Sequence, residues 1–193
     1  MPAPDSMTPG GTISVASLAR ARRIKRRYGA IISIHDPGVR GILSFHREPV
    51  PPLLRLWFVD LDEPHPGYRT ATRADVESAV AFARENIDAT MLVHCKAGIS
   101  RSSAITLAVM ADRLGRGREP EAMAALLQIR PEAVPNRIVV QHADALLGSN
   151  GRLLHEVESW DASNPSNLRR RELNAAIVRN DLDTIRKHVL GFR

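Results

Sequence analysis

The only cysteine of the chain lies in the segment LVHCKAGISRSS, residues 92–103, between a short apolar run and the start of a predicted helix. His94 directly precedes Cys95, and Arg101 follows it six positions later. A cysteine at the N-terminal end of a helix lies in a positive field, which stabilises the thiolate and makes the sulfur nucleophilic. This spacing predicts a nucleophile at a place where an anion can also bind.

The residues between the strand and the helix, called here the cysteine loop (residues 95–101), could bind that anion with their backbone. Their N–H groups can converge on one point if Gly98 adopts a positive φ. The candidate anion-binding residues are Lys96, Ala97, Gly98, Ile99, Ser100 and Arg101. The planar guanidinium of Arg101 could hold two phosphoryl oxygens at once. A thiolate beside a bound phosphate is positioned to attack phosphorus and form a phosphocysteine.

A buried structural cysteine is the alternative interpretation of Cys95. An arginine close to a core cysteine would be costly, however, unless an anion paired with it. The presence of Arg101 and a hydroxyl residue, Ser102, at fixed spacing therefore favours a catalytic cysteine.

The segment HCKAGISRS, residues 94–102, resembles the H-C-x5-R-S/T signature of the cysteine-dependent protein tyrosine phosphatases, in the form typical of their dual-specificity branch. The resemblance extends over roughly residues 13–147. The chain also resembles compact bacterial proteins described as predicted tyrosine phosphatases. A later segment, IRPEAVPNRIVVQHADAL, is similar to a second family segment and matches it at Arg130, Pro135, Asn136 and Gln141.

The resemblance implies roles for two further residues. Ser102 would donate a hydrogen bond to the sulfur of Cys95 and help it leave when water hydrolyses the phosphocysteine. His94 would support the loop geometry through hydrogen bonds. The implied activity is hydrolysis of phosphotyrosine, extending to phosphoserine and phosphothreonine, in a phosphorylated protein or peptide, without a metal or a cofactor.

Expulsion of the leaving group needs a proton donor. The segment LWFVDLDEPHPGY offers three carboxylic acids, Asp60, Asp62 and Glu63, which lie 35, 33 and 32 positions before Cys95. Asp60 ends an apolar run, as the acid does in many dual-specificity relatives, whereas Asp62 fits the family spacing better. Asp60 is our predicted general acid, and Asp62 is the main alternative.

Alternating apolar patterns predict the elements that position these residues. Strands are predicted at residues 12–17, 30–36, 53–64 and 90–95, and helices at 17–29, 72–85, 100–115, 119–130 and 136–147. This alternation indicates an α/β fold of the phosphatase type, with a central, mostly parallel sheet covered by helices on both faces.

Composition divides the chain into three parts: a flexible N-terminal lead-in at residues 1–11, a catalytic domain at 12–150 and a basic helical C-terminal extension at 151–193. The first helix has a strongly basic face, which is either a solvated surface or an anion-docking surface. Its members are Arg20, Arg22, Arg23, Lys25, Arg26 and Arg27.

The chain has 193 residues and a formal net charge of +6. A single cysteine, the lack of a secretory signal and the lack of a long apolar run predict a cytoplasmic protein without a membrane partner. The histidines lack metal-ligand spacing, and no aromatic residues accompany the arginines for nucleic-acid binding. Two alternatives stay open. One is a phospho-binding module that has lost catalysis. The other is a phosphoinositide phosphatase: lipid phosphatases share HCKAG, which favours it, but they carry lysine in place of Ile99, which weakens it.

Overall fold

The computed structural model describes residues 9–190, except for the side chains of residues 186, 187, 189 and 190. The predicted lead-in at residues 1–11 therefore lies mostly outside the described residues. Within the described range, no helix is both long enough and apolar enough to cross a membrane.

The centre of the fold is a sheet of four parallel strands in the order β1-β4-β2-β3. The strands are β1 (Ile13–Ser17), β2 (Ala30–His35), β3 (Leu53–Trp57) and β4 (Met91–Cys95). The predicted third strand was too long, because it continued to residue 64. Its neighbour β2 ends at His35, so the chain beyond Phe58 has no strand to pair with.

Eight α-helices lie within the described residues. They are α1 (Leu18–Ile24), α2 (Arg73–Glu85), α3 (Arg101–Leu114), α4 (Glu119–Ile129), α5 (Arg137–Leu147), α6 (Arg152–Ser163), α7 (Pro165–Arg179) and α8 (Leu182–Leu190). The predicted start of α2 is confirmed, because Thr72 and Asp75 form a capping box there.

Helices cover both faces of the sheet, as predicted. On one face, Ile31 and Leu92 pack with Ala21 of α1. On the other face, Ile32 and Val93 belong to a larger core that includes helices α2 to α6. Adjacent residues of a strand point to opposite faces, which explains why these apolar runs are continuous rather than alternating.

The helix α6 packs in the same core as the helices before it. Leu153 and Val157 are fully buried in that core. Trp160 Nε1 donates a hydrogen bond to the backbone oxygen of Ala133 at 2.8 Å. The division of the chain at residue 150 stays a prediction, and this packing argues for placing α6 with the catalytic domain.

The basic face of α1 is partly occupied by structural contacts. Arg22 Nη2 on α1 donates to the backbone oxygen of Gly41, and Lys25 Nζ, in the short 3₁₀ turn that follows α1, donates to that of Ser44. These bonds hold the long segment between β2 and β3 against α1. The geometry therefore favours a structural role for these two residues over an anion-docking one.

Candidate active site

Cys95 is the last residue of β4, and its sulfur lies at the start of the cysteine loop with only 1% of the residue exposed. The sulfur accepts a hydrogen bond from the backbone N–H of Gly98 at 3.2 Å. The hydroxyl oxygen of Ser102 is also 3.2 Å from the sulfur. Both groups can donate to a thiolate, which is the reactive form of a cysteine.

Gly98 is required by the path of the cysteine loop. Its φ is +75°, and a Cβ at this position would lie 2.4 Å from the carbonyl carbon of Ala16 in β1. The loop is also bonded to the chain after β1, because Leu18 N–H donates to the oxygen of Lys96 at 3.2 Å. The end of β1 therefore fixes the conformation of the cysteine loop, and a side chain at residue 98 would displace one or the other.

The N-terminus of α3 has no side-chain cap. Ser100, the N-cap residue, instead donates its hydroxyl to Asp60 Oδ1 at 2.6 Å. The outer side of the cysteine loop is held by Val134 N–H, which donates to the oxygen of Ile99 at 3.0 Å. Because α3 begins at Arg101, the positive end of its dipole lies at the cysteine loop, and no side-chain cap neutralises it there.

Arg101 is almost completely buried, with 3% of its side chain exposed. Its Nη1 donates to Asp36 Oδ1 at 2.8 Å and to the backbone oxygen of Phe58 at 2.7 Å. Burial opposes its positive charge, but Asp60, Cys95 and Asp36 together outweigh that effect and raise the pKa of Arg101. Its Nε has no hydrogen-bond partner. A buried guanidinium N–H without a partner is costly, so this donor is available to a bound anion.

Asp60 lies beside the cysteine loop, in the acid loop, defined here as residues 58–66. Its Oδ1 accepts hydrogen bonds from Ser100 Oγ at 2.6 Å and from Asn136 Nδ2 at 3.0 Å. Its Oδ2 is 3.8 Å from Arg101 Nε. A carboxyl group at this place could exchange a proton with a phosphate ester held by Arg101.

Asp62 has a different environment. Its carboxylate accepts a hydrogen bond from the backbone N–H of Arg137 at 2.7 Å and forms an ion pair with Arg171 at 2.9 Å. Glu63, the third candidate, is exposed on the acid loop. The geometry therefore favours Asp60 over Asp62 and Glu63 as the group beside the cysteine loop.

His94 belongs to a buried chain of polar side chains. Its Nε2 is 2.7 Å from Ser33 Oγ, which is also 2.7 Å from His35 Nε2. Its Nδ1 is 3.4 Å from the backbone oxygen of Cys95. Burial lowers the pKa of His94 to about 4, so the ring is neutral at pH 7. This arrangement is consistent with the predicted support of the loop by His94.

The predicted site residues differ in their surroundings. Cys95, Gly98, Ser100, Arg101, Ser102 and Asp60 are joined by the contacts described above. Ala97 and Ile99 instead line a cavity of about 210 Å³ beside the acid loop, and Lys96 is exposed. The cavity is also lined by Asp60, Asp62, Ser100, Val134, Arg170, Arg171 and Asn174.

Sequence reasoning missed three polar groups at this site. Asp36 follows β2 directly, and the carboxyl ends of neighbouring parallel strands meet at one edge of a sheet, so its proximity to the cysteine loop could have been expected. Arg171 and Asn174 of α7 gave no such signal. They lie far in sequence from the acid loop, and their polar contacts with it leave no apolar pattern to detect.

The chain was compared with known proteins. No protein-family model matches it, and no curated protein matches it. Solved structures do match. Human DUSP28 has 18% identity and a TM-score of 0.52, over 79% of this chain and 95% of that protein. DUSP15 has 22% identity and a TM-score of 0.52, over 76% of this chain and 90% of that protein.

A third similar structure is PTPMT1 in complex with PI(5)P, with 19% identity and a TM-score of 0.51, over 78% of this chain and 93% of that one. Identities this low establish the fold alone. The chain has the α/β fold of the cysteine-dependent, dual-specificity-like phosphatases, which confirms the predicted fold class and the resemblance at that level.

Proposed function

We propose that this protein is a metal-independent phosphatase that hydrolyses phosphotyrosine, and also phosphoserine and phosphothreonine, in proteins or peptides through a phosphocysteine intermediate. The observation that carries the proposal is the surroundings of the Cys95 sulfur. Gly98 N–H and Ser102 Oγ each lie 3.2 Å from it, and Arg101 on the same loop is buried with its Nε free of hydrogen bonds. The phosphatase fold is independent support.

In the first step, the phosphoryl oxygens bind to Arg101 and to the backbone N–H groups of the cysteine loop. The sulfur of Cys95 forms a bond to phosphorus while the ester oxygen–phosphorus bond breaks. Asp60, in its protonated form, gives its proton to the departing oxygen. Because Arg101 and the α3 dipole already carry positive charge at this place, they stabilise the additional negative charge of the transition state.

In the second step, water attacks phosphorus and the sulfur–phosphorus bond breaks. Asp60, now a carboxylate, takes a proton from the water. The departing thiolate of Cys95 is stabilised by the hydrogen bonds that Ser102 and Gly98 donate to it. The products are inorganic phosphate and the free enzyme, with no metal needed to balance the charge.

The proposal is tested with the variants Cys95→Ser, Asp60→Ala and Asp62→Ala on a phosphotyrosine peptide. We expect Cys95→Ser to abolish turnover while vanadate or phosphopeptide binding persists. We expect Asp60→Ala to lower kcat by about 10²–10⁴-fold, the usual contribution of a general acid. EDTA should have no effect on the wild-type protein. Unchanged turnover in Cys95→Ser would refute the proposal, and a larger loss in Asp62→Ala than in Asp60→Ala would move the acid to Asp62.

Two alternatives are separated by the same assays. A phospho-binding module without catalysis would bind the peptide but release no phosphate. A phosphoinositide phosphatase would prefer inositol lipids, and we include PI(5)P in the substrate panel because one similar structure holds it. The cytoplasmic location and the division into domains stay predictions.

A further inference from the structure

The helix α7 contacts the acid loop at two points. Asn174 Nδ2 donates a hydrogen bond to the backbone oxygen of Asp60 at 2.7 Å. Arg171 Nη1 contacts both carboxylate oxygens of Asp62, at 2.9 and 3.0 Å. One helix of the C-terminal extension therefore holds both the proposed general acid and the residue two positions after it.

Arg171 is also held by residues outside the acid loop. Only 9% of its side chain is exposed. Its Nε is 3.0 Å and its Nη2 3.2 Å from the carboxylate of Asp161, and Nη2 also donates to the backbone oxygen of Pro135 at 3.0 Å. Asp161 lies on α6 with 2% exposed, and it also pairs with Arg137 at 2.7 Å. Because α6 packs in the main core, this network connects Asp62 to a rigid part of the molecule.

The first part of the acid loop has restraints besides α7. Phe58 and Leu61 are buried. Ser100 and Asn136 donate to Asp60 Oδ1, and Asn136 also donates to the backbone oxygen of Leu61 at 2.9 Å. Arg137 N–H donates to Asp62.

The rest of the acid loop has few such contacts. Residues 63–67 are exposed. The backbone bonds at its ends run from Val59 N–H to the oxygen of Arg69 at 2.8 Å and from Tyr68 N–H to the oxygen of His65 at 3.1 Å. The exposed residues 63–66 have little buried surface and few backbone hydrogen bonds, and such a segment opens readily. The contacts from α7 therefore add to those of Ser100 and Asn136, and they restrain the Asp60 backbone and the Asp62 carboxylate where the exposed part of the loop begins.

We propose that α7 is a positioning element for the general acid, in which Arg171 and Asn174 hold the acid loop so that the carboxyl group of Asp60 stays at the cysteine loop. This inference rests on the proposed function, in which Asp60 protonates the leaving oxygen. Neither Arg171 nor Asn174 takes part in the proton transfer. A displacement of a catalytic group by about 1 Å is enough to lower a rate by roughly a hundredfold, so such positioning has a measurable effect.

Leaving groups of different basicity distinguish positioning of the acid from other effects of α7. Phenyl phosphate releases a basic phenolate that needs a proton, whereas 2,4-dinitrophenyl phosphate releases an anion that leaves without one. A change in the shape of the substrate cavity, or a loss of folded protein, would lower kcat/KM for both substrates alike. Loss of acid positioning would lower it for phenyl phosphate alone.

The test compares Arg171→Met and Asn174→Ala with the matched control Arg179→Met, which removes an exposed arginine from the last turn of the same helix. We expect kcat/KM for phenyl phosphate to fall by about tenfold or more in Arg171→Met and about threefold in Asn174→Ala, smaller than the loss of the whole acid. We expect less than about twofold change with 2,4-dinitrophenyl phosphate, and no change in the control. Equal losses with both substrates, or no loss, would overturn the inference.

Hydrogen exchange of the acid loop gives a readout that does not depend on activity. We expect backbone amides of residues 58–66 to exchange faster in Arg171→Met than in Arg179→Met, with amides of α3 unchanged. Unaltered exchange in the acid loop would overturn the inference even if the protein is a phosphatase. Faster exchange, in a protein whose turnover survives Cys95→Ser, would instead place the failure in the proposed function. Asn174→Ala, which removes one hydrogen bond, covers the case in which Arg171→Met does not fold.

Discussion

Arg101 is held from one side by Asp36 and approached from the other by Asp60. The bonds from Nη1 to Asp36 and to the backbone oxygen of Phe58 fix the plane of the guanidinium, and they leave Nε without a hydrogen bond. A planar guanidinium with one end fixed loses less entropy when its other donors bind an anion. This is a physical reason for arginine rather than lysine at residue 101, because an ammonium group has no such fixed plane.

His94 is neutral for a reason that can be read from its surroundings. It is fully buried, and burial is the main cause that lowers its pKa to about 4. Ser33 has one hydroxyl hydrogen and lies 2.7 Å from Nε2 of both His94 and His35, so it can donate to at most one of the two rings, and at least one ring donates to it. A proton added to His94 would place a charge in this buried position, and burial opposes that.

This neutrality predicts a dependence of stability on pH. An unfolded histidine has a pKa of 6.5, whereas folded His94 has a pKa of about 4. Below pH 6.5 the unfolded state therefore binds a proton that the folded state does not, and the free energy of unfolding falls as the pH decreases towards 4. The full effect is about 3 kcal/mol, of which about 2 kcal/mol is expected by pH 5.

Urea unfolding at pH 7 and pH 5 measures this effect. We expect the loss of stability between these two pH values to be smaller in His94→Gln than in wild type. The control His46→Gln removes an exposed histidine and should keep the wild-type difference. Equal differences in all three proteins would mean that His94 titrates normally in the fold.

At the scale of single residues, the sequence predicted the groups that lie on one short segment. Cys95, Gly98, Arg101 and Ser102 could be identified together because the loop that carries them is continuous. Asp60 and Asp62 could not be separated by spacing alone. Their difference depends on partners distant in sequence, such as Asn136 and Arg171.

Among the elements, β1 has a role beyond the sheet, because its end lies against the cysteine loop. A Cβ on residue 98 would lie 2.4 Å from the carbonyl carbon of Ala16, which is backbone and unable to move aside. The chain after β1 is also bonded to the loop through Leu18 and Lys96. The conformation of the cysteine loop is therefore determined by two elements, β1 and the turn after β4.

The substitution Gly98→Ala tests this dependence, with Gly148→Ala as the matched control. Gly148 also has a positive φ, +65°, but a Cβ there would meet only Arg116 at an ordinary 3.5 Å. We expect Gly148→Ala to cost about 1–2 kcal/mol and to keep full activity. We expect Gly98→Ala to cost about 2–5 kcal/mol, because overpacking adds to the backbone strain, and to lose activity. Denaturant unfolding and aryl phosphate turnover measure both, and an active Gly98→Ala protein would contradict the argument.

Elements with an apolar face could be predicted with their bounds from the sequence, whereas residues 151–193 were predicted only as a basic helical extension, and α6, α7 and α8 lie there. The helix α2 has both a capping box and a buried face, and its start was predicted correctly. The helix α7 places Arg171 and Asn174 towards the acid loop, so its inward side carries no apolar pattern to detect. The third strand was overestimated because its apolar residues continue past the end of its partner.

At the scale of the whole molecule, part of the positive charge of the extension pairs with buried carboxylates of other helices. The formal net charge is +6, and the C-terminal part was predicted to be a basic extension with no assigned role. Arg137 and Arg171 both pair with Asp161, and Arg152 pairs with Glu119, which is 2% exposed. These pairs join α4, α5, α6 and α7, so these three arginines connect helices, whereas Arg169, Arg170 and Arg179 are exposed.

Leu153 and Leu168 together test whether α6 belongs to the core of the fold. Leu153 is fully buried in the core, whereas Leu168 on α7 is 47% exposed. Truncation of a buried leucine to alanine usually costs about 2–5 kcal/mol, because it leaves a cavity, whereas an exposed one changes stability by less than about 0.5 kcal/mol. We therefore expect Leu153→Ala to destabilise the whole protein in a single unfolding transition and Leu168→Ala to leave it unchanged. Equal stability of the two variants would mean that α6 is dispensable and that the catalytic domain ends near residue 150. A large loss in Leu153→Ala, with loss of activity at the same denaturant concentration, would mean that the catalytic core includes α6.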